Sequence, residues 1–221
     1  MLNRFSFYDF MGFLVPGMIG LWAGTTFFDQ FLGIAFPLQP AGSLGESTLF
    51  VIASYFVGHV LQGFGNRLED RAVRRWGGYP SQTLMRDSDS KYPKEFKRQI
   101  VLKAKEILSL PEDADVQERF NLIFTFLQQQ GLDTMSQRFN GLYGFYRGLI
   151  ITSWLGQVLF AVLAVKHLFT NWKLLLVDLT LVAGFEVAKR ECWKRFTRFG
   201  RYFADAVYRG FYVYSHTRRT E

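Results

Sequence analysis

The chain has 221 residues, a mean hydropathy near zero, 24 phenylalanines and a formal net charge of +7. That near-zero value averages long uncharged stretches with strongly charged ones, a segregation that excludes an ordinary soluble domain and points to an integral membrane protein. The single cysteine, Cys192, excludes an intramolecular disulfide, and the basic excess calls for cytoplasmic lipid or an anionic ligand.

A membrane span requires about 20 apolar residues to cross about 30 Å of hydrocarbon. Residues 10–28 carry no charge and form the first candidate. This run lacks a basic leading region and a small-x-small cleavage site, so it is expected to be a retained helix. Residues 47–64 are the second candidate. Residues 66–76 continue it as a helix until Gly77-Gly78-Tyr79-Pro80 ends it. Residues 81–90 read as a polar loop. Pro93 suits the first turn of a helix reaching about Leu110, with Phe96, Ile100, Ala104, Ile107 and Leu108 as its apolar stripe. Pro111 breaks it. Residues 115–130 are a second helix, stopped by Gly131, and Asp133 caps a long helix that enters the third span, residues 148–165. The fourth candidate, residues 172–188, is interrupted by Lys173, Asp178 and Glu186, and an interfacial helix is its alternative.

No segment alternates as a strand would. The expected fold is therefore all-α, with four transmembrane helices and a helical cytoplasmic insertion between the second and third. The expected parts are an N-terminal hairpin (1–64), a helical cytoplasmic domain (65–147), a C-terminal hairpin (148–188) and a basic amphipathic tail (189–221). Fourteen Lys and Arg lie in residues 65–147 and nine after Ala188, whereas residues 29–46 carry Asp29 and Glu46 and no cation. The positive-inside rule then places both termini and the insertion in the cytoplasm. Lys166 and Lys173, in the outer turn, run mildly against that rule. Trp22, Trp154 and Trp172 are candidate interface anchors.

Two basic stripes are candidate anion sites. In the tail, Cys192, Phe196, Phe199, Phe203 and Ala206 recur at helical spacing, and Arg190, Lys194, Arg198 and Arg201 repeat on roughly the opposite face. Arg67, Arg71, Arg74 and Arg75 share one face of the helix leaving the second span. Guanidinium groups pair with phosphates, and rings such as Trp193 and Tyr202 can stack bases. A lipid-facing juxtamembrane anchor is the other reading of both stripes. Glu69 and Asp70 lie off the Arg67 face and are not expected to neutralise it.

Within the membrane, Tyr55, His59, Gln62 and Asn66 form a polar line along the second span. Such a line is costly against lipid and should face other helices or water, as helix-to-helix hydrogen bonding or as a pore lining. Asp178 invites the same question, with pairing to His59 as one option. Gly20 and Gly24, beside Gly17, make a GxxxG pair that permits close helix approach. Enzyme signatures are absent: there is no GxSxG, HExxH or P-loop, and no catalytic residue or cofactor is nominated. The three histidines are too dispersed for a metal site. Asp87 and Asp89 could hold a cation, but solvated loop carboxylates are the commoner case.

Tyr8-Asp9, then Pro16-Gly17, then Tyr55 with Gly58-His59, resembles a group of small bacterial membrane proteins found with anti-phage defence genes. The four-span layout with a helical insertion is similar to that of the membrane effectors of Hailong defence systems. The resemblance implies an oligomeric, channel-like effector in the bacterial inner membrane, gated on its cytoplasmic side by a nucleotide-derived ligand. In those systems a partner nucleotidyltransferase makes an oligodeoxyadenylate that holds the effector inactive until a phage activity removes it. The partners expected are thus further copies of the chain (a tetramer is one arrangement), the lipid bilayer, an oligonucleotide or nucleotide second messenger, and a nucleotidyltransferase. The competing reading is a membrane scaffold that recruits a soluble partner through the insertion.

Overall fold

The computed structural model describes residues 10–34, 43–111 and 113–217. Every regular element among them is helical. A π-helical turn, Phe10–Leu14, leads into α1 (Val15–Leu32). Then follow α2 (Leu44–Trp76), α3 (Pro80–Met85), α4 (Lys94–Leu108), α5 (Val116–Gln129), α6 (Thr134–His167) and α7 (Trp172–Thr217).

Local chemistry sets most boundaries. Gly33 ends α1 in the left-handed region, at φ 69°, and its N–H reaches the Asp29 carbonyl at 3.0 Å. Ser43 and Glu46 cap the start of α2 reciprocally, through Ser43 N to Glu46 Oε2 at 2.7 Å and Glu46 N to Ser43 Oγ at 3.4 Å. The other end of α2 closes with a Schellman pattern: Gly78 N bonds Val73 O at 2.9 Å and Gly77 N bonds Arg74 O at 3.3 Å. Asp115 caps α5, accepting from Gln117 N at 2.8 Å and Glu118 N at 3.1 Å. Asp133 stands just before α6, where its carbonyl accepts from Gln137 N at 2.8 Å. One element departs from the expected loop at residues 81–90. Pro80 at the first helical position, with Gln82 Oε1 accepting from Tyr79 N at 3.0 Å, starts the short α3 there.

Among the described residues, three helical segments are long and apolar enough to cross a membrane: Phe10–Leu32, Leu44–Met85 and Thr134–His167. They contain the first three predicted spans. The fourth predicted segment is the first part of the 46-residue α7 and is not among those three.

The chain divides into two compact units. The first comprises residues 1–69 and 141–196, the second residues 70–140 and 197–221. Within the first unit, α1 and α2 touch backbone to backbone. A Cβ at Gly17 would lie 1.8 Å from the Ser54 carbonyl oxygen, and one at Gly58 would lie 2.0 Å from that of Phe13. Glycine is required at both positions. Gly24, half of the expected GxxxG pair, has no neighbour there. Ala23, Phe160 and Leu163 form a small core with Phe185 and its neighbours.

The second unit has the larger core. Leu84, Tyr92, Ile100, Ala104, Phe120, Ile123 and Leu127 pack with Ala204, Val207, Tyr208 and Phe211 from α7. The expected stripe of α4 faces inward, with Ile100 and Ala104 fully buried. The end of the basic tail is therefore part of a hydrophobic core and shares a unit with the insertion helices.

Candidate functional site

The role of Gln62 in the polar line of α2 follows from a proline in α1. Pro16 has no N–H, so the carbonyl four residues earlier, Gly12 O, loses its α-helical donor. Gln62 supplies one: its Nε2 donates to Gly12 O at 2.7 Å and to Gly144 O at 2.9 Å. Gln62 is buried, as the cost of exposing an amide to lipid requires. His59 lies one turn earlier and is exposed at its edge, yet its ring stacks on Phe13 at 4.1 Å and meets Tyr55 edge-on at 4.6 Å. Gly58, His59 and Gln62 together hold the π-helical turn against α2. Asn66 is exposed.

The other side of Gln62 carries charge. Its Oε1 accepts from Arg147 Nε at 3.1 Å and from Nη2 at 3.0 Å. Arg147 Nη1 is bonded to Glu69, whose second oxygen accepts from Tyr143 Oη at 2.9 Å. Gln62, Arg147, Glu69 and Tyr143 each have a partner in this network, which is what makes a largely buried ion pair tolerable. The sequence reading counted Arg147 only as a loop charge and Glu69 only as off-face. The spacing carried a signal nonetheless, because Gln62 and Glu69 lie two helical turns apart on one face.

Asp178 does not pair with His59. Its carboxylate meets His167 Nδ1 at 2.6 Å, and both side chains are buried. The turn between α6 and α7 brings these two residues together. The adjacent Lys166 donates from Nζ to the carbonyls of Gln30, at 2.6 Å, and Phe31, at 3.0 Å. It thereby caps the C-terminal end of α1, where a cation is favoured. Glu186 is likewise engaged, accepting from Gln157 Nε2 at 2.8 Å and pairing with Lys189 and Arg190.

The predicted anion-binding residues divide according to whether they have partners. Arg190 pairs with Glu186 at 2.6 Å, and Lys194 pairs with Glu191 at 2.6 Å. The Lys194 ammonium holds the Glu191 carboxyl below its ordinary range. Arg67 lies over the Phe64 ring at 5.6 Å. These three cations belong to the first unit. Arg71, Arg74, Arg75 and Arg198 are exposed and have no ion pair among the described residues, and all four belong to the second unit. Arg201, also in that unit, is bound to Asp89 at 2.7 Å. Of the two proposed stacking rings, Trp193 packs on Phe196 at 5.8 Å, and Tyr202 is partly exposed beside Phe139.

A cleft of about 340 Å³ in the second unit is lined by Trp76, Thr83, Arg86, Ser88, Asp89 and Arg201, with Pro80 and Thr197. Two guanidinium groups, three hydroxyls and an indole line this space, and all are of donor type, although the Thr83 hydroxyl already donates to Pro80 O at 3.0 Å. Arg86 also donates to Gly77 O, which fixes the turn after α2. The sequence reading missed Trp76 and Arg86, because only the fold of α3 and the following loop brings them to α7. No group of three His, Cys, Asp or Glu side chains suited to a metal occurs among the described residues. Of the motif residues that carried the family resemblance, Tyr8 and Asp9 lie outside the described residues.

No family model matches this chain, and comparisons with curated proteins and with solved structures return no match either.

Proposed function

We propose that this chain is a homo-oligomeric effector of the bacterial inner membrane, with both termini cytoplasmic, whose basic cytoplasmic surface binds a phosphate-rich ligand that controls a membrane-permeabilising state. The observation that carries this reading is the unequal use of cations. Arginines at the outer surface of the second unit, Arg71, Arg74, Arg75 and Arg198, have no ion pair among the described residues, while those of the first unit are engaged. Unsatisfied guanidinium groups in one compact unit are the electrostatic footprint of an anionic partner. The ligand class is a nucleotide or single-stranded oligonucleotide made by a partner nucleotidyltransferase, in keeping with the Hailong resemblance.

Four spans are part of the proposal. The charges that interrupt residues 172–188 are directed to protein partners: Asp178 to His167, Glu186 to Gln157 and Lys189, and Lys173 to the Trp172 ring at 6.0 Å. Leu176, Leu179 and Val187 are exposed on that helix and suit lipid. Of the predicted pore residues, Gln62 and Asp178 are bonded within the chain, and His59 is the exposed one, the residue best placed to border a path between copies.

The test is saturable binding of a labelled single-stranded oligonucleotide to the detergent-purified chain. Arg71→Glu and Arg198→Glu, made separately, should each weaken binding at least about tenfold and reduce its salt dependence. Weak, unsaturable binding by the wild type at moderate salt would make the surface lipid-facing and remove the sensor from the model.

A second reading rests on an apolar groove of about 790 Å³ in the second unit, lined among others by Leu132, Met135, Phe139, Tyr202 and Val213. Such a surface suits a scaffold that recruits a soluble partner. Met135→Glu should abolish recruitment under that reading and leave oligonucleotide binding unchanged.

A further inference from the structure

The cleft of the second unit contains one group of the wrong sign for an anion site. Asp89 accepts hydrogen bonds and donates none, and it occupies Arg201, with Oδ2 2.7 Å from Nη2. The pair is unequal: the Asp89 side chain is 16% exposed and that of Arg201 is 45% exposed. Asp89 is also held from behind. Its other oxygen accepts from Lys91 N at 2.9 Å, and its carbonyl accepts from Lys97 Nζ at 2.8 Å. Lys97 is buried and reaches the Arg86 carbonyl as well. The loop between α3 and α4 is thus tied down so that it presents a carboxylate to an otherwise donor-lined space.

A surface ion pair between two free side chains is worth little, because both must be ordered. Here one partner is ordered beforehand, so the contact competes better for Arg201. We propose that Asp89 is an intramolecular competitor: its carboxylate occupies Arg201 in the empty cleft, and a phosphate oxygen of the ligand binds by displacing it. This rests on the anion-binding reading above and adds the regulation of that site. Affinity is lowered by the fraction of molecules in which Arg201 is still held. Displacement frees the loop from its contact with α7, which gives the bound and empty states different structures for a ligand to select between. The cleft volume lies within the usual range for a small-ligand pocket and suits one phosphorylated unit beside the Trp76 ring.

The phosphate can belong to a free ligand or to a lipid headgroup, and the experiment separates them. A labelled single-stranded oligodeoxynucleotide is titrated into the detergent-purified full chain. Asp89→Asn should tighten binding about three- to tenfold, the scale of one partly buried ion pair. Asparagine keeps the acceptor for Lys91 N, and Asp89→Ser serves if the first variant melts early. Asp87→Asn makes the same charge change in the same loop and should alter affinity less than about twofold. In an Arg201→Gln background, Asp89→Asn should likewise have less than about a twofold effect, because the pair is already broken. Saturable wild-type binding without tightening in the Asp89 variants, or equal tightening by Asp87→Asn, overturns the competitor while leaving the anion site standing. If neither wild type nor Asp89→Asn saturates, and micelles containing phosphatidylglycerol also fail to show an Asp89-dependent difference, both fall. If such micelles bind more tightly to Asp89→Asn alone, the competitor stands and its displacing phosphate is a lipid's.

Discussion

The two units treat charge in opposite ways. In the first, ionic side chains are directed inward or along the helices to named partners: Arg147 to Glu69 and Gln62, Asp178 to His167, Lys166 to the end of α1. In the second, the main cluster is aromatic and aliphatic, and Arg71, Arg74, Arg75 and Arg198 are among the exposed arginines with no ion pair among the described residues. The difference follows from the surroundings each unit is suited to. A helix that faces hydrocarbon must satisfy its polar groups within the protein, whereas a helix that faces water can leave a guanidinium free for a partner.

The largest effect is expected at the backbone contact of the first unit. Gly58→Val places side-chain atoms where the Phe13 carbonyl stands. The backbone cannot give way as a flexible side chain would, so the α1–α2 contact should be lost and the variant should aggregate on size exclusion in detergent. The equivalent change at Gly24, where nothing lies within reach, should leave the elution profile intact. Next in size is Arg147→Leu. It leaves Glu69 largely buried with Tyr143 as its remaining partner, a loss of about 3 kcal/mol for a broken buried pair. Thermal unfolding should shift down clearly, and the double variant Arg147→Leu with Glu69→Leu should recover part of the loss. Gln62→Leu is smaller, at about 1–3 kcal/mol for Gly12 O left without its side-chain donor and Arg147 without one acceptor. Arg71→Glu and Arg198→Glu should leave the melting temperature within about 1 °C, since surface changes away from partners cost little. A large drop for these last two would show that their charges are structural after all.

How much of this was legible in the sequence depends on the range of the interaction. Helix ends at Gly77-Gly78, Asp115 and Gly131 were readable because capping and positive φ are local. The three long apolar segments were readable by composition. The partner of Asp178 was not, because His167 reaches it only across the turn between α6 and α7. The tail was read as one stripe through Ala206, yet the residues that fill the second core are Ala204, Val207, Tyr208 and Phe211. Steps of four and three average 3.5 residues, so a stripe written that way drifts around a 3.6-residue helix over several turns. The cleft was the least readable, since α3 was taken for a loop and Trp76, Arg86 and Arg201 are far apart in sequence.

The smallest expected effect concerns pH, and it isolates the second unit. Tyr92 and Tyr208 both titrate well above the ordinary tyrosine value, in each case first because burial disfavours the phenolate. For Tyr92 the hydrogen bond to Asp205 adds to this. A buried neutral tyrosine binds its proton more tightly when folded than when unfolded. The stability it contributes is therefore complete below about pH 10, the unfolded value, and declines as the pH rises above it. Asp205 works in the opposite sense at the acid end. Burial pushes its carboxyl up, but hydrogen bonds from Tyr92, Lys91 and Arg209 outweigh that and leave it lowered, so its contribution is lost as pH falls below the carboxylate range. The two ends can be separated. Tyr208→Phe gives up only a long hydrogen bond to Ser81 O at 3.2 Å and keeps the ring in the core. Melting followed by the near-ultraviolet signal between pH 9 and about pH 11 should fall less steeply for this variant than for wild type, while the two should follow the same curve between about pH 3 and pH 6. Equal alkaline slopes would mean that Tyr208 is hydrated in solution, and the core of the second unit would then be looser than the packing of Phe120 and Tyr208, 5.5 Å apart, implies.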